Sequence, residues 1–181
     1  MGRAKSYAER QFDFPEVGPL TFEEAFDALV KPIRDLDVDI EISAVQRIFE
    51  ATRGYPYFLQ EWGKQTWDTA TASPIKLADA EQASTIALAE LDESFFLVRF
   101  DRCTPLEKKY LRAMAELGPG PHCSGDIADL LQRRVTAFGP TRNSLIAKGM
   151  IWSPSHGDTS FTAPLFDDFL RRIMPGEEWR A

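Results

Sequence analysis

The sequence predicts a mainly α fold: a helical bundle followed by a winged helix-turn-helix domain with a short β-hairpin wing. Three observations carry this expectation. Helix-capping signatures recur ahead of apolar stripes of helical period from residue 21 onward. The β-prone runs that could pair are confined to 150–152 and 159–163, on either side of a turn containing Pro154 and Gly157. The last elements run helix, helix, turn, helix, hairpin, which is the order of a winged helix-turn-helix and more specific than any one segment.

Composition sets the frame. The chain has 181 residues, 44% hydrophobic and 27% charged, which suits a globular protein and excludes a largely disordered one. No apolar run approaches the roughly 20 residues of a membrane span, and the N-terminus lacks the apolar stretch of a secretory signal. Cys103 and Cys123 are too few for a disulfide scaffold. A soluble, cytoplasmic protein is therefore expected. The net charge of −7 argues against uniform adhesion to nucleic acid. The charge is uneven, however: residues 1–100 hold 10 basic and 18 acidic side chains, and residues 101–181 hold 11 and 10. Any contact with a phosphate backbone is expected in the second half.

Taken in order, Ala8-Glu9-Arg10-Gln11-Phe12-Asp13-Phe14 ends in a strand-like alternation that Pro15 and Gly18-Pro19 stop. Everything up to about residue 148 then patterns as helix, so this single strand has no nearby partner further along the chain. It is expected to belong to a sheet lying upstream. Thr21 and Glu24 form a capping box, Phe22, Ala25, Phe26, Leu29 and Val30 make the apolar stripe, and Pro32 marks the end or a kink. Ser43-Ala44-Val45-Gln46 reads as a second capping box, with Val45, Ile48 and Phe49 inward and Gly54 as the terminating glycine. Pro56 opens a third helix, burying Phe58, Leu59, Trp62 and Trp67. A long helix comes next, from near Leu77 to Val98, with Ala80, Ala83, Ile86, Ala87, Leu91, Phe95 and Val98 in register.

In the second half, Thr104-Pro105-Leu106-Glu107 is a capping box with proline in the first turn, opening a helix through about Leu117. Gly118-Pro119-Gly120-Pro121 breaks it, and Ser124 caps a short helix. A turn at Gln132-Arg133-Arg134-Val135 leads to a helix ending at Lys148-Gly149. Met150-Ile151-Trp152 and Thr159-Ser160-Phe161-Thr162-Ala163 flank the hairpin turn, and Leu165, Phe166, Phe169, Leu170 and Ile173 form a last amphipathic helix.

The stretch Ala8 to Phe14 with Gly18-Pro19-Leu20, together with Gly54-Tyr55-Pro56-Tyr57-Phe58-Leu59-Gln60, resembles the segment after the nucleotide-binding core of bacterial and archaeal P-loop ATPases. The nearest groups are the AAA+-like and STAND-type families, including origin-recognition-type ATPases. The resemblance covers nearly the whole chain in order, through short motifs. It implies residues 1–19 as a remnant of the ATPase core, 20–99 as a helical lid-like bundle, 100–175 as the winged helix-turn-helix and 176–181 as a tail. It further implies that Gly54, Tyr55 and Pro56 lie near the adenine of a bound nucleotide. The alternative is a plain helix junction, glycine ending one helix and proline starting the next.

Those ATPases cradle phosphates with G-x-x-x-x-G-K-S/T, and no such run exists here; an apolar strand ending in an acid to hold Mg²⁺ is absent too. ATP and Mg²⁺ are accordingly expected only on a parent ATPase core, the implied partner, and no catalysis by this chain alone. The preferred reading is a regulatory and DNA-binding module of that ATPase, with double-stranded DNA as the other partner. The helix at 140–148 is the candidate recognition helix, with Leu145 and Ile146 inward and Thr141, Arg142, Asn143, Ser144 and Lys148 offering groups for base edges and phosphates. Arg133 and Arg134 are placed for backbone contacts, and His156 sits at the wing tip. The wing lacks Arg or Lys, and Asp158 opposes phosphate. The competing reading is therefore a protein-protein or intramolecular docking module that never touches DNA.

Cys103, His122, Cys123 and His156 lack the tight paired spacing of a zinc site, so no metal is expected. The acidic pairs Glu23-Glu24, Asp92-Glu93, Asp167-Asp168 and Glu177-Glu178 read as solvated faces, because adjacent residues on a helix point apart. Trp62, Trp67 and Trp152 read as core.

Overall fold

The structure, a computed structural model, describes residues 18–180. The strand expected near Phe12–Phe14 and most of the implied core remnant lie outside the described residues. Helix α1 (Phe22–Arg34) starts as the sequence dictates: Glu24 N–H donates to Thr21 Oγ1 at 3.3 Å and Thr21 N–H donates to the Glu24 carboxylate at 2.8 Å. Pro32 falls in its last turn. Helix α2 (Ile42–Thr52) begins earlier than the Ser43 signature suggests, with Glu41 as the preceding residue and no side-chain cap. The cause is tertiary. Ile40 bridges Ile75 and Glu41 N–H donates to Ile75 O at 2.9 Å, which fixes where the chain turns into helix. Ser43 Oγ instead donates to the Glu41 carboxylate.

Helix α3 (Pro56–Thr69) carries proline in its first turn and buries Phe58, Leu59 and Trp62. Trp62 Nε1–H donates to Ser84 Oγ at 3.1 Å, so the indole is buried with its polar atom satisfied. Trp67, expected inside, is 39% exposed, and Trp152 is 47% exposed. Five positions beyond Trp62 on a helix is about 140° away, which turns Trp67 off the buried face.

Helix α4 (Leu77–Leu91) runs on through a π turn, Asp92–Leu97, into α5 (Val98–Phe100). The rod is as long as expected, but its register changes. Ala80, Ala83, Ala87 and Leu91 are buried, and the next buried positions are Phe96 and Phe100, a step of five and then four. The π turn inserts the extra residue, so Phe96 and Phe100 take the inner face; Phe95 is partly buried against the same core, its ring 5.5 Å from Phe58, and Val98 is 58% exposed. Ile86, adjacent to Ala87 and off the narrow alanine face, is also exposed.

Helix α6 (Pro105–Leu117) opens with its capping box, Thr104 N–H to the Glu107 carboxylate at 2.6 Å and Glu107 N–H to Thr104 Oγ1 at 3.4 Å. It is the centre of the second half, with Tyr110, Leu111, Ala113, Met114 and Ala115 buried. Strand β1 (His122–Cys123), helix α7 (Ser124–Leu130), a 3₁₀ turn at Val135–Phe138 and helix α8 (Gly139–Ala147) come after it. Strands β2 (Ile151–Trp152) and β3 (Asp158–Phe161) form the wing hairpin, pairing Ile151 with Phe161 and Trp152 with Ser160. The strand β1, which sequence reading missed, pairs His122 with Thr159 and makes a three-stranded antiparallel sheet of order β1-β3-β2. Ser124 does not cap α7. Its hydroxyl and amide both reach Gly157 O, tying the start of α7 to the wing turn.

Helix α9 (Phe166–Ile173) closes the fold. Phe166, Phe169 and Leu170 are buried, and Trp179 in the final 3₁₀ turn (Glu178–Arg180) is 4% exposed, so the expected tail packs rather than trails. Among the described residues the fold is thus mainly helical with one small antiparallel sheet, compatible with a helical bundle plus a winged helix.

One core runs through both halves. Phe96 lies 5.9 Å from Phe58 of α3, and 5.3 Å from each of Phe166 and Phe169 of α9, between ring centroids. Arg172 grips Asp92 at 2.9 and 2.5 Å across the same junction. Truncating Phe96→Ala is therefore expected to lower global stability by roughly 3–5 kcal/mol. Urea unfolding checks this, and a loss below about 1 kcal/mol would show that Phe96 is not the shared keystone.

Candidate functional site

Two regions gather the residues singled out by sequence. The first is the junction around Gly54. Helix α2 ends with Arg53 and Gly54 both at positive φ, 53° and 71°. Leu20 N–H donates to Gly54 O at 2.8 Å, and a Cβ on Gly54 would stand 2.4 Å from Leu20 O. Only glycine satisfies both the backbone conformation and this approach. The two stretches that carry the family resemblance, around Leu20 and around Gly54, are thus in direct contact. Tyr55 is half-buried with its ring 4.7 Å from that of Phe58, and Pro56 starts α3. A cavity of about 910 Å³ opens beside them, lined among others by Arg53, Tyr55, Trp152, Phe161 and Asp167, where bundle and wing meet.

The second region is α8 with its flanks. The structure divides the sequence-derived candidates into two groups. Arg142 is held by the wing: its guanidinium donates to Thr159 Oγ1 at 3.0 Å, Ser153 Oγ at 2.7 Å and Asp158 O at 2.8 Å. Ser144 Oγ donates to one Glu107 oxygen at 2.7 Å, and Lys148 Nζ to the other at 2.6 Å and to Arg102 O at 2.9 Å. Thr141 is buried. Arg133, Arg134, Asn143 and His156 form the other group; they are exposed and have no side-chain hydrogen bond or ion pair among the described residues.

The reason for this division is Glu107, whose role beyond capping the sequence did not reveal. Its side chain is 5% exposed. Burial alone would raise its carboxyl. The hydrogen bonds from Lys148, Ser144 and Thr104 overcome that and hold it down, from an ordinary 4.5 to about 2. A buried carboxylate needs this company, and it draws inward Ser144 of α8 and Lys148 just past its end. The Arg142 ties do the equivalent for the hairpin, adding a donor to Ser153 Oγ and to the Asp158 carbonyl, which already bond to each other.

Three further placements correct the sequence reading. Asp167 is not solvated: it is buried and accepts from Arg171 at 2.8 Å, with Arg53 3.9 Å away. Asp168 takes Arg171 at 2.6 Å and Arg53 at 3.3 Å. Asp92 belongs to the Arg172 pair. Cys103 is buried and Cys123 exposed, and among the described residues no group of three or more His, Cys, Asp or Glu is arranged to hold a metal. No helix among the described residues is long and apolar enough to cross a membrane.

A family model described as a domain of unknown function (DUF8462) matches residues 93–170, from the π turn into α9. No curated protein matches the chain. Among solved structures, it is similar to the Thermotoga maritima RuvB K64R mutant, at 19% identity and a TM-score of 0.41. That alignment covers 80% of this chain and 47% of the other, so the chain spans about half the length of that structure.

The Glu107 cluster has a pH signature. Its folded pKa lies below the unfolded value, so its contribution is complete above about 4.5 and disappears as pH falls toward about 2. Glu107→Gln is expected to be less stable than wild type at pH 7, the gap closing across that window. Urea midpoints from pH 7 to pH 2.5 check this, and a gap that stays constant with pH would contradict it.

Proposed function

We propose that this chain is the C-terminal regulatory region of a P-loop ATPase, in which α1–α5 act as a lid and the winged helix acts as a docking module on the ATPase core. The ATPase assignment rests on the sequence resemblance, and the contact between Leu20 and Gly54 supports it by joining the stretches that carry it. In this reading ATP and Mg²⁺ belong to the core, and the chain itself performs no catalysis. Gly54, Tyr55 and Pro56 would border the adenine side of the nucleotide, leaving phosphate binding to the core. Nucleotide-dependent motion of the lid would carry the winged helix with it, because the two share Phe96 and the Arg172–Asp92 pair.

The observation that carries docking over DNA reading is the internal commitment of α8. Arg142, Ser144 and Lys148 hold the wing and Glu107, and Thr141 is buried, which leaves the helix Asn143 as its outward-facing polar group among the candidates. Base-edge readout needs free donors and acceptors at the groove surface. The second reading, duplex binding, draws on one specific feature: Arg133 and Arg134 are exposed and unpaired among the described residues, ahead of Asn143 in the chain. Two arginines support nonspecific phosphate contact better than sequence recognition.

Fluorescence anisotropy of a labelled mixed-sequence duplex separates the two. The docking reading expects no saturable binding at physiological salt, and at low salt only weak binding that Arg133→Ala/Arg134→Ala removes. Saturable binding at physiological salt that falls steeply with added salt and is weakened by Asn143→Ala would establish the DNA reading instead.

A further inference from the structure

We propose that the notch where α2, α3, α4 and α9 meet is an oxyanion site for a small ligand bearing a phosphate or carboxylate group on an apolar body. The cavity measures about 440 Å³, within the roughly 300–1,000 Å³ of small-molecule pockets. It lies apart from the outward face of α8, and it does not depend on the ATPase reading. Among the described residues three guanidinium groups line it, Arg47 from α2 and Arg171 and Arg172 from α9, with the carboxylate of Asp168 beside them. Ala51 and Leu88 supply apolar wall over the buried Trp62 indole, whose N–H is already taken by Ser84.

The three arginines differ in a way that points to a ligand. Arg171 is fixed by Asp167 and Asp168, and Arg172 by Asp92 through two hydrogen bonds. Arg47 is half-buried and has neither ion pair nor hydrogen bond among the described residues. A guanidinium withdrawn partly from water with no acceptor leaves its fork of donors free for a planar pair of oxygens, which carboxylate and phosphate both present. Arg171 and Arg172, ordered by aspartates that offset much of their charge, frame the α9 side of the notch without a further ordering cost, and Arg47 carries the uncompensated charge that faces the ligand. A ligand seated there would bridge α2 of the bundle to α9 of the second half, beside the Arg53–Asp168 pair.

Calorimetric titration of the full chain tests this, using pyrophosphate and, separately, succinate in chloride buffer of matched ionic strength. Saturable one-to-one binding of either anion is expected, weakened about tenfold or more in Arg47→Gln. Because Arg47 makes no hydrogen bond or ion pair among the described residues, the ligand-free variant is expected to unfold at the wild-type urea midpoint. Binding of pyrophosphate alone identifies a phosphate ligand, of succinate alone a carboxylate, and of both the shared oxyanion chemistry. If Arg47→Gln fails to fold, Arg47→Lys decides, since it keeps the charge and loses the fork: weakened binding supports the site and unchanged binding overturns it. Absence of saturable binding by both anions, or equal binding by wild type and a folded Arg47→Gln, overturns the proposal.

Discussion

The packing of Phe96 between the two halves is the constraint on which the rest of the structure depends. It touches Phe58 on one side and Phe166 and Phe169 on the other. It can do so because the π turn at Asp92–Leu97 adds one residue to the helical step from Leu91. An uninterrupted α-helix would bring Phe95 to that face and leave Phe96 turned away. The same extra residue sets Phe100 against Phe169 at 6.0 Å, and Asp92, at the start of the turn, pairs with Arg172. Bundle and winged helix are therefore packed on one aromatic cluster rather than joined by a free linker. Motion of the first half would be transmitted to the second through this contact.

The second organising element is the buried Glu107 carboxylate. It caps its own helix and then gathers Ser144 of α8 and Lys148 just past its end, while Arg142 fastens α8 to the hairpin. These ties fix the helix firmly, and they also remove from its surface the donors that a DNA-reading helix would present. Stability and recognition compete here for the same side chains, and in this chain the fold holds them. The outward remainder, Asn143 with Arg133 and Arg134, suits contact with a protein surface or weak contact with phosphate.

What was legible in the sequence was local. Thr21 and Thr104 announced their helices because each capping partner lies three residues away. Pro56, Gly54 and the wing hairpin were readable for the same reason. Ser43 misled because the start of α2 is set by the Ile40–Ile75 bridge, a contact between distant parts of the chain. Val98 misled because the π turn leaves no mark in a 3.6-residue periodicity, whereas Phe95 does pack against the core. Strand β1, two residues long, exists only through its pairing with β3. The candidate site was half legible: the residue types around α8 were visible, but not their partners. Lys148 meets Glu107 across 41 positions and Arg142 meets Thr159 across 17. Asp167 likewise looked like surface until Arg171 and Arg53 closed around it.

Transmission through the Phe96 cluster requires the bundle and the winged helix to move as one body. Residual dipolar couplings of backbone amides, measured separately for α1–α4 and for α6–α9 in the full chain, test that requirement directly. A single alignment tensor fitting both sets is the predicted result. Two tensors of different magnitude or orientation would show that the halves move independently, and would contradict transmission through the cluster.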